Sequence, residues 1–163
     1  MLVKDEHDVY DLLDSLLRDA TQFWDSFYKD HKEKEVPFFC NHVDEHLRKY
    51  VENNIIPRGR VLEIGCGNGR NTIYLAKKGF SVTAVDLSQE AISWATQQAT
   101  LQNVDIEFYC ENIFNLMFPN EPFDFIYDSG CFHHLAPHRR ITYIQFLHQL
   151  LKHDGYFSIS AFK

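Results

Sequence analysis

Val61-Leu62-Glu63-Ile64-Gly65-Cys66-Gly67-Asn68-Gly69-Arg70 reads as a short apolar strand that runs into a glycine-rich turn and then a helix. Gly65, Gly67 and Gly69 alternate. Glycine reaches φ > 0 without a Cβ penalty, so the backbone turns sharply and a ligand can approach closely. A helix that starts after such a turn offers backbone N–H groups at its N-terminus. Strand, glycine turn and helix start together predict a cofactor-binding corner.

Downstream of this corner the pattern is regular. Residues 71–78 predict a helix closed by Gly79, and residues 81–85 a β-rich strand ending at Asp86. Ser88 is placed to cap a helix over residues 89–102, with Ala91, Ile92, Ala95 and Leu101 on or near its inner face. Strands are expected at 106–109 and 123–127, the second ending at Asp128. A helix over 138–151, a turn at His153-Asp154-Gly155 and a last strand over 156–161 follow. Alternating strands and helices predict an α/β, three-layer, Rossmann-like sheet, mostly parallel, with the opening strand near its centre. Ligands in such sheets bind beyond the carboxyl ends of the strands. The glycine turn, Asp86, Asn112 and Asp128 all sit at such ends and are expected to converge there.

Upstream, Val9, Leu12, Leu13, Leu16, Leu17, Ala20, Phe23 and Phe27 recur at helical spacing and predict one helix over 9–29. A charge run over 30–35, the Val36-Pro37-Phe38-Phe39-Cys40 stretch and a second helix over 43–51 complete this part. Residues 1–57 are expected to form a helical lid over a core of residues 58–163, the whole being one domain.

The chain has 163 residues, 45% of them hydrophobic and 15% aromatic, which argues for a folded domain with a core and against disorder. A formal net charge of −7 disfavours a nucleic-acid backbone binder. Cys40, Cys66, Cys110 and Cys131 are scattered, as free thiols in a reducing compartment would be. No apolar run suits a signal peptide or a membrane span, so a cytoplasmic location is expected, with no membrane or nucleic-acid partner.

Two cofactor classes fit a glycine turn followed about twenty residues later by an acid. A carboxylate at Asp86 suits the ribose hydroxyls of either a dinucleotide or S-adenosylmethionine. The glycine spacing separates them. A dinucleotide fingerprint is G-x-G-x-x-G, whereas here the spacing is G-x-G-x-G, with Arg70 in place of the third glycine. Glu63 lies inside the strand; an acid is awkward beside a pyrophosphate and suited to the α-ammonium of a methionine moiety.

The corner, followed by Ala84-Val85-Asp86-Leu87-Ser88, resembles the first two motifs of class I S-adenosylmethionine-dependent methyltransferases. Cys110-Glu111-Asn112-Ile113-Phe114 and the run from Phe123 to Leu135 are similar to the third and fourth. The resemblance implies cofactor contacts from Glu63, Gly65, Cys66, Gly67, Gly69, Arg70 and Asn71, then from Asp86, Leu87 and Ser88, from Asn112 and Ile113 at the adenine, and from Asp128, Ser129 and Gly130. Asn112 stands where the family commonly carries an acid. Phe23-Trp24-Asp25-Ser26-Phe27-Tyr28, Val36 to Phe39 and the Tyr127 to Arg140 run look most like the branch that holds thiopurine, tellurite-resistance and halide or thiol methyltransferases. Members usually continue past the fifth strand with another helix and an antiparallel strand pair, which the given sequence lacks. Its last strand is therefore expected at a sheet edge, with self-association as a homodimer through that edge as the consequence.

A sulfonium methyl is already activated, so the protein's task is positioning and exclusion of water. If the small-molecule acceptor must lose a proton, His133 and His134 are the candidate bases. Trp24 and Tyr28, with Phe38 and Phe39, are candidate lid aromatics. Cys131 is expected to be a packed thiol, and Arg139 and Arg140 either meet an anionic substrate or are simply solvated. No metal is expected. A non-catalytic module that binds S-adenosylmethionine or S-adenosylhomocysteine through a partner, and a nicotinamide-dependent oxidoreductase, are the competing readings.

Overall fold

In the computed structural model, five strands form one sheet in the order β3-β2-β1-β4-β5, every neighbouring pair parallel. They are β1 (Arg60–Ile64), β2 (Ser81–Asp86), β3 (Glu107–Cys110), β4 (Phe123–Ser129) and β5 (Leu151–Ser160). The helices are α1 (Glu6–Ser15), α2 (Ala20–His31), α3 (Glu45–Glu52), α4 (Arg70–Lys77), α5 (Gln89–Leu101) and α6 (Arg139–Leu150). The structure describes residues 3–31, 36, 39, 42–118 and 121–161. Phe38, Cys40 and most of the charge run therefore lie outside the described residues.

Strand alternation sorts the core into two layers. Val61, Val82, Phe125 and Tyr127 face Leu47 of α3 and Leu75 of α4, while Ala84 packs with Ile92 of α5. Leu62, Ile64, Val85 and Ile126 face the other way, onto Tyr143 and Leu147 of α6. β1 is central, flanked by β2 and β4, so its glycine corner opens where the strand order reverses. Gly79 closes α4 at φ +85°, and the Ser88 hydroxyl accepts the Ala91 N–H to cap α5. Leu101, expected near the inner face of α5, is 72% exposed.

Two expectations are corrected. The apolar stripe over 9–29 belongs to two helices, not one. Asp19 breaks it by accepting the Gln22 N–H at 2.9 Å and starting α2, while Asp5 caps α1. α1 buries none of its residues, and Leu12, Leu13, Leu16 and Leu17 all face solvent. The expected turn before the last strand is instead a bulge inside β5. Leu151 pairs with Phe123 and Tyr156 with Phe125, so residues 152–155 leave the ladder opposite Asp124. β5 is an edge strand, with Tyr156 and Ile159 partly exposed. Among the described residues no helix is long and apolar enough to cross a membrane.

Candidate functional site

A cavity of about 1530 Å³ runs along the carboxyl ends of the strands. It gathers Glu63, Gly65, Cys66, Gly67, Arg70 and Asn71 from the corner, Asp86 and Leu87 after β2, and Asn112 and Ile113 after β3. Ser129, Gly130, His133 and His134 from the loop after β4 join them, and Trp24 and Tyr28 of α2 also line it. Parallel strands that end together bring these distant stretches to one edge.

Three expected site residues turn away from the cavity. Gly69 takes φ +79° at the start of α4, and a Cβ there would sit 3.0 Å from the Ala95 Cβ. It is a close-packing glycine between α4 and α5. Ser88 is fully buried; besides capping α5, its hydroxyl donates to Asp25 Oδ1 at 2.7 Å and docks α2. Asp128 is fully buried and accepts from the Cys131 N–H (2.7 Å), the Phe132 N–H (3.1 Å) and the Tyr143 hydroxyl (2.5 Å). It holds the loop from which Gly130 and the histidines project.

The corner commits its N–H groups inward. Those of Gly65 and Cys66 donate to the Val85 carbonyl at 2.8 and 3.1 Å, and that of Gly67 to Asp86 Oδ2 at 2.9 Å. A pyrophosphate would need such donors turned outward. The Asp86 carboxylate also accepts the Ser88 N–H at 3.0 Å, which fixes it at the cavity wall. Burial raises its pKa.

Glu63 is wholly buried. It accepts from the Thr72 hydroxyl and from Asn71 Nδ2 at 3.2 Å. Burial pushes its carboxyl up to about 7, against these hydrogen bonds. Asp44, just ahead of α3, is the residue that sequence reasoning missed. Its carboxylate takes Arg70 Nη2 at 2.8 Å, Asn71 Nδ2 at 3.0 Å, the Tyr127 hydroxyl at 2.9 Å and the Ser129 hydroxyl. Burial opposes its ionisation, but hydrogen bonds from Ser129 and Arg70, with the charge of Arg70, hold its carboxyl below the usual range. The only local signal, an Asp before a helix, reads as an N-cap, yet the side chain makes no capping bond.

On the far wall, the His133 and His134 rings lie 4.0 Å apart between centroids, and Trp24 meets His134 edge-on at 4.8 Å. Burial, and then the charges of His133 and Arg18, lower the His134 pKa. The Cys131 thiol is pushed well up by burial and by the carboxylates of Asp128 and Asp86, as befits a packed thiol. Neither Arg139 nor Arg140 is merely solvated. Arg139 pairs with Asp14 and Asp11 of α1, and Arg140 donates to the carbonyls of His133 and Leu135.

The donor set fits S-adenosylmethionine: a carboxylate at the end of β2, and acids and a cation together at the β1–β4 end. Comparison with known proteins agrees. The family model described as a methyltransferase domain matches residues 61–155. An uncharacterized methyltransferase of Staphylococcus carnosus is 36% identical over 97 residues, 60% of this chain and 44% of that protein. The chain thus spans less than half the length of the curated relatives it matches. A structure from work on the conversion of a disulfide bond into a thioacetal group during echinomycin biosynthesis superimposes with a TM-score of 0.74 at 29% identity, over 82% of this chain and 55% of that one. An S-adenosylmethionine-dependent methyltransferase from Clostridium acetobutylicum gives 0.62 at 27% identity, over 85% and 56%. TehB from Haemophilus influenzae gives 0.63 at 25% identity, over 82% and 43%. With the family model covering more than half of it, the chain belongs to the methyltransferase domain family, as a class I member whose cofactor is S-adenosylmethionine.

Proposed function

We propose that this domain transfers a methyl group to a small-molecule acceptor, and that the acceptor atom is sulfur or a similarly soft nucleophile. The observation that carries the reading is the single cavity in which the glycine corner, Asp86, Asn112 and the His133–His134 loop meet. The likeness to the structure from the thioacetal work supports the soft acceptor, and the likeness to TehB supports the branch that the sequence resembles.

Bound S-adenosylmethionine supplies an already activated methyl group, so the chain has to orient both partners and keep water out. In this reading Asp86 takes the ribose hydroxyls, and Asn112 with the Ile113 N–H takes the adenine. Arg70, Asn71 and the acids around them take the amino-acid end. Ser129 and Gly130 border the methyl group, while Asp128 holds their loop in place. Residues 1–57 act as the lid, with Trp24 and Tyr28 as its roof. His134, kept neutral, accepts a proton from an acceptor that must lose one. β5 is the outer strand among the described residues, and association of two copies through it is the oligomeric part of this proposal, which light scattering at high concentration checks.

Calorimetry with S-adenosylmethionine and with NAD tests the cofactor, and methyl transfer to a panel of thiols tests the reaction. S-adenosylmethionine alone is expected to bind, and Asp86→Ala to abolish both binding and transfer. Binding unchanged by Asp86→Ala contradicts the cofactor geometry. Binding without transfer to any acceptor leaves the non-catalytic module.

A further inference from the structure

We propose that Asp44 is a positioning residue for the cofactor's amino-acid end, supplying the fixed negative charge that the α-ammonium requires at the β1–β4 end of the cavity. The inference rests on the cofactor reading above and adds to it a residue from outside the four motifs.

Asp86 ends β2 and Asn112 follows β3, so the nucleoside side of the cavity lies over those two strands. The sheet order puts the carboxyl ends of β1 and β4 on the opposite side, which in this reading is left for the amino-acid group. A zwitterion is best received by one anion and one cation held close together. Asp44 and Arg70 are such a pair. Their charged groups are 2.8 Å apart, the side chains are 23% and 14% exposed, and both line the cavity.

Glu63 is the acid that the strand motif offers, but it is 1% exposed, whereas the Asp44 side chain is 23% exposed. Asn71 Nδ2 bridges it to Asp44, and of these two acids that line the cavity Asp44 is the more accessible. Although Asp44 belongs to the N-terminal part, its carboxylate is tied to the frame on both sides, to α4 by Arg70 and Asn71 and to β4 by Tyr127 and Ser129. Its own N–H donates to Asn71 Oδ1 at 3.0 Å. A charge anchored in this way is preorganised, and binding need not order it.

The test compares two ligands on the full chain by calorimetry: S-adenosylhomocysteine, and 5′-methylthioadenosine, which keeps the nucleoside and the sulfur but has no amino-acid group. Asp44→Asn keeps the size and one acceptor oxygen while removing the charge. It is expected to weaken S-adenosylhomocysteine binding roughly 10- to 100-fold, the range for a lost charged hydrogen bond. Binding of 5′-methylthioadenosine should stay within about twofold, the wild-type-like arm that reports an intact site. Equal weakening of both ligands would make Asp44 only a structural staple, and no weakening of either would remove it from the site; each result overturns the proposal. If the wild-type chain binds neither nucleoside, the cofactor reading itself fails, and that failure is visible before any variant is made.

Discussion

The Tyr28 hydroxyl lies 2.7 Å from the point that a Cβ on Gly67 would occupy. Gly67 is thus needed twice, for its φ of +55° and for the close approach of Tyr28 of α2. Gly79 separates the two demands, because it has φ +85° with no atom within 4 Å of its ideal Cβ. Gly79→Ala should cost only the left-handed strain, about 1–2 kcal/mol. Gly67→Ala should cost more, since it must also push the buried Tyr28 ring off the corner. Urea unfolding of the two variants checks the difference; equal losses would mean that α2 does not press on the corner.

Glu63 makes stability depend on pH. Its ordinary pKa of 4.5 describes the unfolded chain, while burial beneath Thr72 and Asn71 pushes it up to about 7 in the fold. Between these values the native state keeps a proton that the unfolded chain has released, so stability falls as pH rises. The contribution is fully present below about pH 4.5 and gone above about pH 7, a swing on the order of 3 kcal/mol. Glu63→Gln keeps an acceptor for Thr72 or Asn71 and should flatten the profile across this window. Denaturation at pH 5 and pH 8 measures it. Parallel profiles for variant and wild type would assign the pH dependence to other groups.

The Tyr143 hydroxyl donates to Asp128 at 2.5 Å, and both side chains are fully buried. Tyr143→Phe leaves the shape intact but removes a side-chain donor from this carboxylate. A loss of about 1.5–3 kcal/mol is expected for a hydrogen bond to a charged group. Asp128 also holds the Cys131 and Phe132 N–H groups, so amide exchange in the 130–134 loop should quicken beyond the rest of the sheet. Uniform acceleration across the protein would show that the bond supports the core at large and not the loop.

The βα repeat from Arg60 onward was legible because its punctuation is local. Gly79 ends α4, Ser88 caps α5, and β2, β4 and β5 close on Asp86, Ser129 and Ser160 at the edge where ligands bind in such sheets. The same locality limits what a motif conveys. Asp128 and Ser88 stand at the expected strand ends, yet their side chains turn inward, because spacing places a backbone and not a side-chain direction. Asp19 was hidden inside an apolar stripe that runs through both α1 and α2; only the choice of cap breaks it. Asp44 lies 26 positions before Arg70, and Tyr127 reads as one more strand residue. Their meeting is purely tertiary, so nothing in either stretch announces it.

α1 is held to the body by charge in place of burial. Asp14 meets Arg139 Nη2 at 2.7 Å and His138 Nε2 at 2.6 Å, Asp11 meets Arg139 at 3.0 Å, and Tyr10 stacks on His138. Arg139 is only 16% exposed, and α1 contributes His7, Asp11 and Asp14 to the cavity wall. Ion pairs whose carboxylates are as open as Asp11 (72%) and Asp14 (43%) are each worth little and are screened by salt, so this helix should open without the sheet unfolding. Burial raises the Asp14 pKa, but hydrogen bonds from Arg139 and His138, with their charges, outweigh it and leave the pKa lowered. The latch is therefore present above the ordinary carboxylate range and is lost as pH falls through the depressed value. Arg139→Gln should speed amide exchange over Glu6–Ser15 and cleavage at residues 16–19, more so at low salt where the wild-type latch is strongest. Global stability should change by less than about 1 kcal/mol. Exchange that quickens equally in β1 and β4 would mean that α1 is part of the cooperative core, and the latch would then be no more than one of its contacts.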